Sequence, residues 1–190
     1  MKLIIASNNS HKVSEIKSIL AGKFSEMLSL SDAGICHETI EDGATFLDNA
    51  LKKAREICSI SGIATLADDS GLCVNSLGGA PGVYSARYSG EDATSEKNNT
   101  LLLKNLNGKS DRTAYFLCCI ALVYPDGREV TAEGRVYGEI TSDYRGSHGF
   151  GYDPIFQVKD DTRTLAELSD EEKNAISHRG NALKNLLEKI

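Results

Sequence analysis

Leu66-Ala67-Asp68-Asp69-Ser70-Gly71-Leu72 is the stretch that decides the fold of this chain. An apolar run from Ile63 to Ala67 leads into the two carboxylates and predicts a buried strand. Asp is unfavourable in strands and Ser-Gly favours turns, so we predict that the strand ends at the Asp pair and that Ser70-Gly71 turns the chain. Ligands of α/β sheets bind just beyond the carboxyl ends of strands, where this pair would lie. By itself the stretch favours a solvated turn over a site.

The composition is that of an ordinary globular protein, with 41% hydrophobic and 25% charged residues among 190. A net charge of −6 argues against polynucleotide binding, which usually needs a basic patch, but is compatible with a small anionic ligand. No apolar run approaches the roughly 20 residues of a membrane span, and the N-terminal run is too short for a signal peptide. The cysteine count is odd, five, without a C-x-x-C pair, so we expect reduced thiols and a cytoplasmic location.

The N-terminal segment has the pattern of an anion site. We predict a strand over Lys2–Ala6 and a helix from about His11 to Leu20, joined by a polar loop. The N–H groups ahead of a helix and in its first turn lack helical partners, and the helix dipole is positive there. Lys12 in that first turn is unfavourable unless an anion compensates it. The alternative is that Ser10 simply caps the helix and that Lys12 is solvated.

A second helix is predicted over about residues 46–61. Asn49 and Lys53 are four residues apart and share one face of it. Glu41 lies in the acidic turn that precedes this helix. A carboxylate in a turn is usually solvated, so this pattern alone does not make Glu41 a ligand.

The second half of the chain contains a predicted hairpin and a glycine-rich loop. The hairpin strands are Thr113–Tyr124 and Glu129–Val136, joined by Pro-Asp-Gly. In the loop Arg145–Pro154, Phe150 has a glycine on each side. Glycines allow close approach of a ligand, so this ring could stack on one, and it could equally tuck into the core.

The C-terminal helix is predicted from about Asn181 to Lys189. His178 and Arg179 precede it at a break that Gly180 favours. Taken alone, such a pair is typical of a protein surface.

In their order along the chain, these segments resemble the Ham1/RdgB-type inosine triphosphate pyrophosphatases, which remove non-standard purine nucleoside triphosphates. Any one motif is weak, whereas the ordered set spans nearly the whole chain and is specific. One departure is Ser-Asn-Asn in the first loop, where many members have Thr-Gly-Asn or Thr-Asn-Asn. The matching stretches are Ser7–Lys12, Glu41–Phe46 with Asn49-Ala50, Ala67–Leu72, Leu77–Gly82, Tyr84–Tyr88, Phe150–Pro154, and Glu172-Lys173 with Ile176–Arg179.

The resemblance implies a fold and an activity. The fold is α/β, a long twisted mixed β-sheet flanked by helices, with residues 1–190 forming one domain of two lobes with a central cleft. The activity is Mg²⁺-dependent hydrolysis of ITP, dITP and XTP to the monophosphate plus pyrophosphate, commonly by a homodimer, with no nucleic-acid polymer or membrane as partner. Two alternatives stay open: a nucleotide-binding regulator without turnover, and a phosphatase that releases inorganic phosphate.

The resemblance also implies roles for individual residues. Glu41 and Asp69 would hold Mg²⁺, a hard ion that takes carboxylate and water oxygens, and Asp69 would position or deprotonate the attacking water. Asp68 is an alternative ligand. If Arg179 or His178 faces position 6 of the base, we expect it to donate to the carbonyl that hypoxanthine and xanthine carry there. The residues implied to contact the nucleotide are Ser7, Asn8, Asn9, Ser10, His11, Lys12, Ser70, Phe150 by stacking, Gly151, Tyr152, Asp153, Lys173, His178 and Arg179, with Asn49 and Lys53 as further phosphate-side groups.

Overall fold

The computed structural model describes residues 1–190 and contains one six-stranded sheet together with five α-helices. No helix combines the length and the apolar composition that crossing a bilayer requires. The strands are β1 (Lys2–Ile5), β2 (Glu26–Ser29), β3 (Thr65–Val74), β4 (Thr113–Val123), β5 (Glu129–Ile140) and β6 (Phe156–Val158). The helices are α1 (Ser10–Ile19), α2 (Phe46–Ser61), α3 (Ser95–Asn105), α4 (Asp170–Ile176) and α5 (His178–Leu187).

The sheet has the strand order β2-β1-β3-β4-β5-β6 and is mixed. Strand β1 pairs in parallel with β2 and β3, whereas β5 and β6 are antiparallel. Only residues 124–128 join the neighbouring strands β4 and β5, and so short a link cannot make a parallel crossover. The two strands therefore form the hairpin that the sequence predicted, and the α/β class with a mixed sheet is confirmed.

The chain groups into two compact units, each with its own core. The first unit comprises Met1–Asp69, Cys118–Gly134 and Arg179–Ile190, and the second comprises Ser70–Leu117 and Arg135–His178. The predicted single domain of two lobes with a cleft stays a prediction. Buried residues of the first core include Leu3, Ile5, Ile16, Leu66, Ile120 and Leu183, and those of the second include Leu72, Leu102, Phe116, Ile155, Phe156 and Leu165.

Strand β3 corrects the prediction made from the Asp pair. The strand does not end at Asp68 and Asp69, and Ser70-Gly71 is not a turn, because extended backbone continues to Val74. Both carboxylates are buried and have polar partners, described below, so the unfavourable strand propensity of Asp is overridden by its surroundings. Neighbouring side chains of a strand point to opposite faces, and the two Asp residues accordingly meet different partners.

The first two helices follow local capping rules. Helix α2 covers the predicted range, with a capping box between Thr45 and Asp48 and a left-handed Gly62 at its C-terminus. Helix α1 begins at Ser10, but the cap is Asn9, whose side chain accepts from two backbone N–H groups. The alternative in which Ser10 caps this helix is therefore wrong.

Helix α5 begins at His178, three residues before the predicted start at Asn181. His178 and Arg179 are 5% and 1% exposed, so the surface position that the pair suggested is wrong as well. The reason lies in the tertiary structure: Asp68 and Glu15 neutralise the Arg179 guanidinium, and the His178 ring stacks on Phe116.

Gly138 allows β6 to pair with β5. A Cβ atom at this position would lie 2.1 Å from the carbonyl oxygen of Gln157 and 2.8 Å from the Phe156 ring. No side chain fits that space without moving the β6 backbone, and β6 directly follows the loop that carries Phe150.

Gly138→Ala should therefore destabilise the protein, by about 1–3 kcal/mol or more, because overpacking here meets a backbone atom. Urea unfolding measures the change, with Glu139→Ala as the matched control, since Glu139 is exposed on the same strand. Equal stability of the two variants would show that β6 can move to accommodate the Cβ without a loss of unfolding free energy.

Candidate active site

Asp68 is the centre of a buried ion-pair group in the first unit. Its Oδ2 accepts hydrogen bonds from Arg179 Nε and Nη2 at 3.2 and 3.0 Å and lies 3.1 Å from Lys12 Nζ. Burial alone would raise the pKa of this carboxyl, but Lys12 and Arg179 together hold the pKa well below its usual range. Asp68 is therefore a permanently ionised anchor for two cations.

The pKa of Asp69 is shifted in the opposite direction to that of Asp68. It is 6% exposed, and its Oδ2 accepts a hydrogen bond from Asn49 Nδ2 at 2.9 Å. Burial raises the pKa of Asp69 above its ordinary value, although Lys53 and the Asn49 hydrogen bond oppose the shift. Two neighbouring carboxyl groups thus differ in pKa, which is the pattern that separates an electrostatic anchor from an acid–base group.

Lys53 links Glu41 to the Asp pair. Its Nζ donates to Glu41 Oε1 at 2.6 Å and to the backbone carbonyl of Asp68 at 2.8 Å. Burial by itself would lower the pKa of Lys53, but the charges of Asp68, Glu41 and Asp69 raise it, so the ammonium stays charged.

The Glu41 and Asp69 carboxylates match the donor chemistry of Mg²⁺. Lys53 connects the two regions, since its ammonium contacts Glu41 Oε1 and the backbone carbonyl of Asp68, and the charge of Glu41 helps to raise the pKa of Asp69. The structure contains no group of three or more His, Cys, Asp or Glu side chains arranged as metal ligands. Mg²⁺ in nucleotide enzymes is commonly held by one or two carboxylates plus substrate phosphates and waters, so two carboxylates fit this ion.

The first loop differs from the predicted anion cradle. The N–H groups of His11 and Lys12, which we expected to face an anion, donate to Asn9 Oδ1 at 3.0 and 3.2 Å. Lys12 is compensated by Asp68 and is neither solvated nor dependent on an external anion. The side chains of Asn8 and Ser10 are exposed, so the outer surface of the loop remains accessible to a ligand.

In the second unit, Asp153 orients both Phe150 and Lys173. Its Oδ2 accepts from the Phe150 backbone N–H at 2.8 Å and from Lys173 Nζ at 2.9 Å. The same ammonium lies 4.7 Å from the centroid of the Phe150 ring, a cation–π distance. A Cβ at Gly149 would lie 2.2 Å from Asp153 Oδ2, so glycine is required at this left-handed position, a constraint that the sequence did not reveal.

Tyr152 and Gly151 have internal partners. The Tyr152 hydroxyl donates to the carbonyl oxygen of Ser85 at 2.8 Å, and the Gly151 carbonyl accepts from Asn99 Nδ2 at 3.1 Å. Burial raises the pKa of Tyr152 above its usual range. Both contacts fix the loop that carries Phe150.

Arg179 is directed at carboxylates. Its Nη1 donates to Glu15, and its Nε and Nη2 donate to Asp68, so each guanidinium nitrogen has an acidic partner. A guanidinium that is 1% exposed must be neutralised, and two carboxylates do so. The predicted contact of Arg179 with a nucleobase stays a prediction. Glu15 was missed in the sequence, although its position three residues after Lys12 on one helix face was a usable signal.

The predicted residues therefore form two groups. Ser70 is half-buried within β3 beside Asp69. The loop from Ser7 to His11, which is exposed from Asn8 onward, precedes Lys12. In the first unit the structure brings together Lys12, Glu41, Asn49, Lys53, Asp68, Asp69 and Arg179. In the second unit it brings together Phe150, Asp153 and Lys173, while Gly151, Tyr152 and His178 have separate partners.

Comparison with known proteins identifies the family. Residues 3–189 match the model of the Ham1 family. The chain is 50% identical to the dITP/XTP pyrophosphatase of Desulfotalea psychrophila over 97% of this chain and 82% of that protein. It is 48% identical to the dITP/XTP pyrophosphatase of Clostridium perfringens, over 100% and 97% of the two chains. The solved Staphylococcus aureus Ham1 protein superposes with a TM-score of 0.89 at 41% identity, covering 100% of this chain and 97% of that one. The resemblance found in the sequence is confirmed: the chain belongs to the Ham1 family.

Proposed function

We propose that this protein is a hydrolase that cleaves the non-canonical purine nucleoside triphosphates dITP, XTP and ITP to the monophosphate and pyrophosphate. The observation that carries the proposal is the divided Asp pair of β3, in which Asp68 anchors two cations while Asp69 has a raised pKa beside Lys53 and Glu41. Relatives named dITP/XTP pyrophosphatase are about half identical to this chain over nearly all of its length and support the same substrates.

Asp69 is the proposed general base. A carboxylate with a raised pKa accepts a proton from water more readily than an ordinary one, which favours it over Asp68, whose pKa is lowered. The products require water to attack the phosphate chain so that the link between the α and β phosphates breaks. Asn49 holds one oxygen of Asp69 and thereby fixes the plane of the carboxylate.

Glu41 and Asp69 are the residues proposed to hold Mg²⁺. The bound ion would neutralise triphosphate charge and stabilise charge on the phosphoryl oxygens. Lys12 and Lys53 add fixed positive charge on the phosphate side, and the loop from Ser7 to His11 offers hydroxyl and amide groups. Such positive charge is needed because the chain has a net charge of −6 and would otherwise repel a triphosphate.

The nucleobase is proposed to bind at the group of residues around Phe150. The ring is proposed to stack on the purine, with Asp153 ordering the backbone beside it. Lys173 is a donor-only group next to Phe150, so we propose that it contacts the position 6 carbonyl together with Arg179 or His178. Inosine and xanthosine bases offer an acceptor at that position, whereas adenine offers a donor.

The assembly and location follow the same proposal. We propose a cytoplasmic homodimer that has a nucleotide as substrate and no nucleic-acid polymer or membrane as partner. Support comes from the family, from the acidic net charge and from five free cysteines, four of them buried.

The first test is the identity of the products. With dITP and Mg²⁺ the protein should release pyrophosphate and dIMP, with little turnover of dATP, and chelation of the metal should stop the reaction. Separate assays of pyrophosphate and inorganic phosphate measure the outcome. Release of inorganic phosphate would indicate a phosphatase, and tight binding without turnover a regulator.

The two Asp residues should respond differently to the same substitution. Asp69→Asn should lower kcat by about 10²–10⁴-fold, because the base is removed, while stability is kept. Asp68→Asn should cost about 3–5 kcal/mol of stability, because it leaves buried cations uncompensated. Steady-state kinetics and urea unfolding of both variants check this, each variant serving as the control for the other. Loss of stability in Asp69→Asn with activity kept would reverse the assignment.

The pH dependence of Mg²⁺ affinity should report Asp69. Because burial raises the pKa of Asp69 in the metal-free protein and the metal binds the ionised carboxylate, affinity should fall as the pH drops through a pKa above the ordinary value for Asp. Asp68 has a lowered pKa, so the stability that its ion pairs contribute should be lost only at lower pH. Metal titrations at several pH values and pH-dependent unfolding measure the two effects. An affinity that starts to fall only below pH 3.8 would contradict the assignment.

Lys173→Met should reduce the ratio of kcat/KM for dITP to that for dATP by roughly 10- to 100-fold, the value of a lost charged hydrogen bond. The ratio is insensitive to partial unfolding because both substrates are measured on one sample. Lys104→Met, an exposed lysine of the same unit, is the control. An unchanged ratio would place recognition of position 6 elsewhere.

A further inference from the structure

The segment of residues 36–44 contains Glu41 but has no helix or strand of its own. It lies between β2 and α2, outside the sheet. A catalytic or metal-binding group must nevertheless be held in one place to act. Side-chain contacts must therefore fix this segment, and the structure shows which ones.

The polar face of α2, defined as Asn49, Lys52, Lys53 and Glu56, provides these contacts. The four residues are spaced so that they share one side of the helix. They meet the 36–44 segment in reverse order, so the segment runs antiparallel to the helix. Gly43 N donates to Asn49 Oδ1 at 2.8 Å, Lys52 Nζ donates to Asp42 at 2.7 Å, Lys53 Nζ donates to Glu41 at 2.6 Å, and Glu56 Oε2 accepts from Thr39 Oγ1 and His37 Nε2 at 2.7 Å each.

The Gly43 end of this arrangement is tightly packed. A Cβ at Gly43 would lie 2.6 Å from Asn49 Oδ1, so the backbone of the segment approaches the helix as closely as glycine permits. Asn49 also donates to Asp69 and thus joins the segment to β3. This end is fixed by buried groups.

The other end depends on Glu56. One carboxylate oxygen holds two residues, located two and four positions before Glu41. Hydrogen bonds from His37 and Thr39 lower the pKa of Glu56, so it is ionised and accepts strongly at neutral pH. The side chain is 34% exposed and lies two helical turns from Asn49, so it serves neither the core nor the Asp pair directly.

We propose that Glu56 is a positioning residue for metal binding: by holding His37 and Thr39 it keeps the 36–44 segment on α2 and keeps Glu41 at Lys53, which also contacts the backbone of Asp68. The proposal rests on the proposed function, because it takes Glu41 and Asp69 as the residues that hold Mg²⁺. Without Glu56 the contacts of His37 and Thr39 with α2 are lost, and Glu41 occupies its binding position for a smaller fraction of time. Apparent metal affinity falls in proportion to that fraction.

The test compares Glu56→Ala with the wild type in three measurements. Hydrogen–deuterium exchange of peptides covering residues 36–44 measures how firmly the segment is held. Electron paramagnetic resonance measures Mn²⁺ affinity in the absence of nucleotide. The third measurement is kcat/KM for dITP at low and at saturating Mg²⁺. We expect faster exchange in this segment, metal binding weakened by roughly 3- to 10-fold, and activity restored by saturating Mg²⁺. Alanine is a strong helix former, so α2 should be retained.

Matched variants separate positioning from general damage. Glu56→Gln keeps an oxygen that can accept both hydrogen bonds and should restore much of the affinity. Thr39→Val should add little to Glu56→Ala, because the two residues form one contact. Arg55→Gln alters the same helix at an exposed pair with Glu129 and should leave exchange and metal affinity unchanged.

Unchanged exchange and unchanged Mn²⁺ affinity in Glu56→Ala would overturn the proposal, as would an equal loss in Arg55→Gln. A failure of the proposed function gives a different result. In that case the wild type does not release pyrophosphate from dITP, while exchange and Mn²⁺ binding still show whether Glu56 positions the segment.

Discussion

The burial of the Asp68 carboxylate is the constraint on which the first unit depends. A buried charge is costly unless it is paired and hydrogen-bonded, and here two cations do both. Lys12 is supplied by α1, Arg179 by α5 and Asp68 by β3, so a single carboxylate ties three elements that are distant in sequence. The same requirement explains why α1 tolerates a lysine in its first turn and why α5 begins early enough to bury Arg179.

The pleat of β3 places the side chains of Asp68 and Asp69 in different surroundings. Because neighbouring side chains of a strand point to opposite faces, Lys12 and Arg179 form their ion pairs with Asp68, while Asp69 accepts a hydrogen bond from Asn49. Burial raises the pKa of Asp69, although the charges of Lys53 and Lys12 oppose the shift. One residue of displacement along the strand therefore places two neighbouring carboxylates among different partners.

The second unit also contains a buried ion pair that orients neighbouring groups. Asp153 and Lys173 are each 3% exposed and neutralise one another, and together they orient the backbone and the ring of Phe150. In both units a buried ion pair fixes the group proposed to meet the ligand. The positions of these groups are fixed by paired charges and short hydrogen bonds. Loop segments such as residues 36–44 are held by contacts with an adjacent helix.

Local pattern in the sequence determined the range of α2 and the β4–β5 hairpin, because capping, periodicity and turn chemistry act over a few residues. The ordered motifs determined the family and, through it, the α/β class. Only the tertiary structure decided that β3 continues through the Asp pair, that α5 starts at His178 and that Arg179 serves carboxylates. Asp68 and Arg179 are 111 residues apart, and no spacing rule reaches that far. The cost of burying a charge depends on which partners the fold brings to it, and this is a property of packing that a linear pattern does not contain.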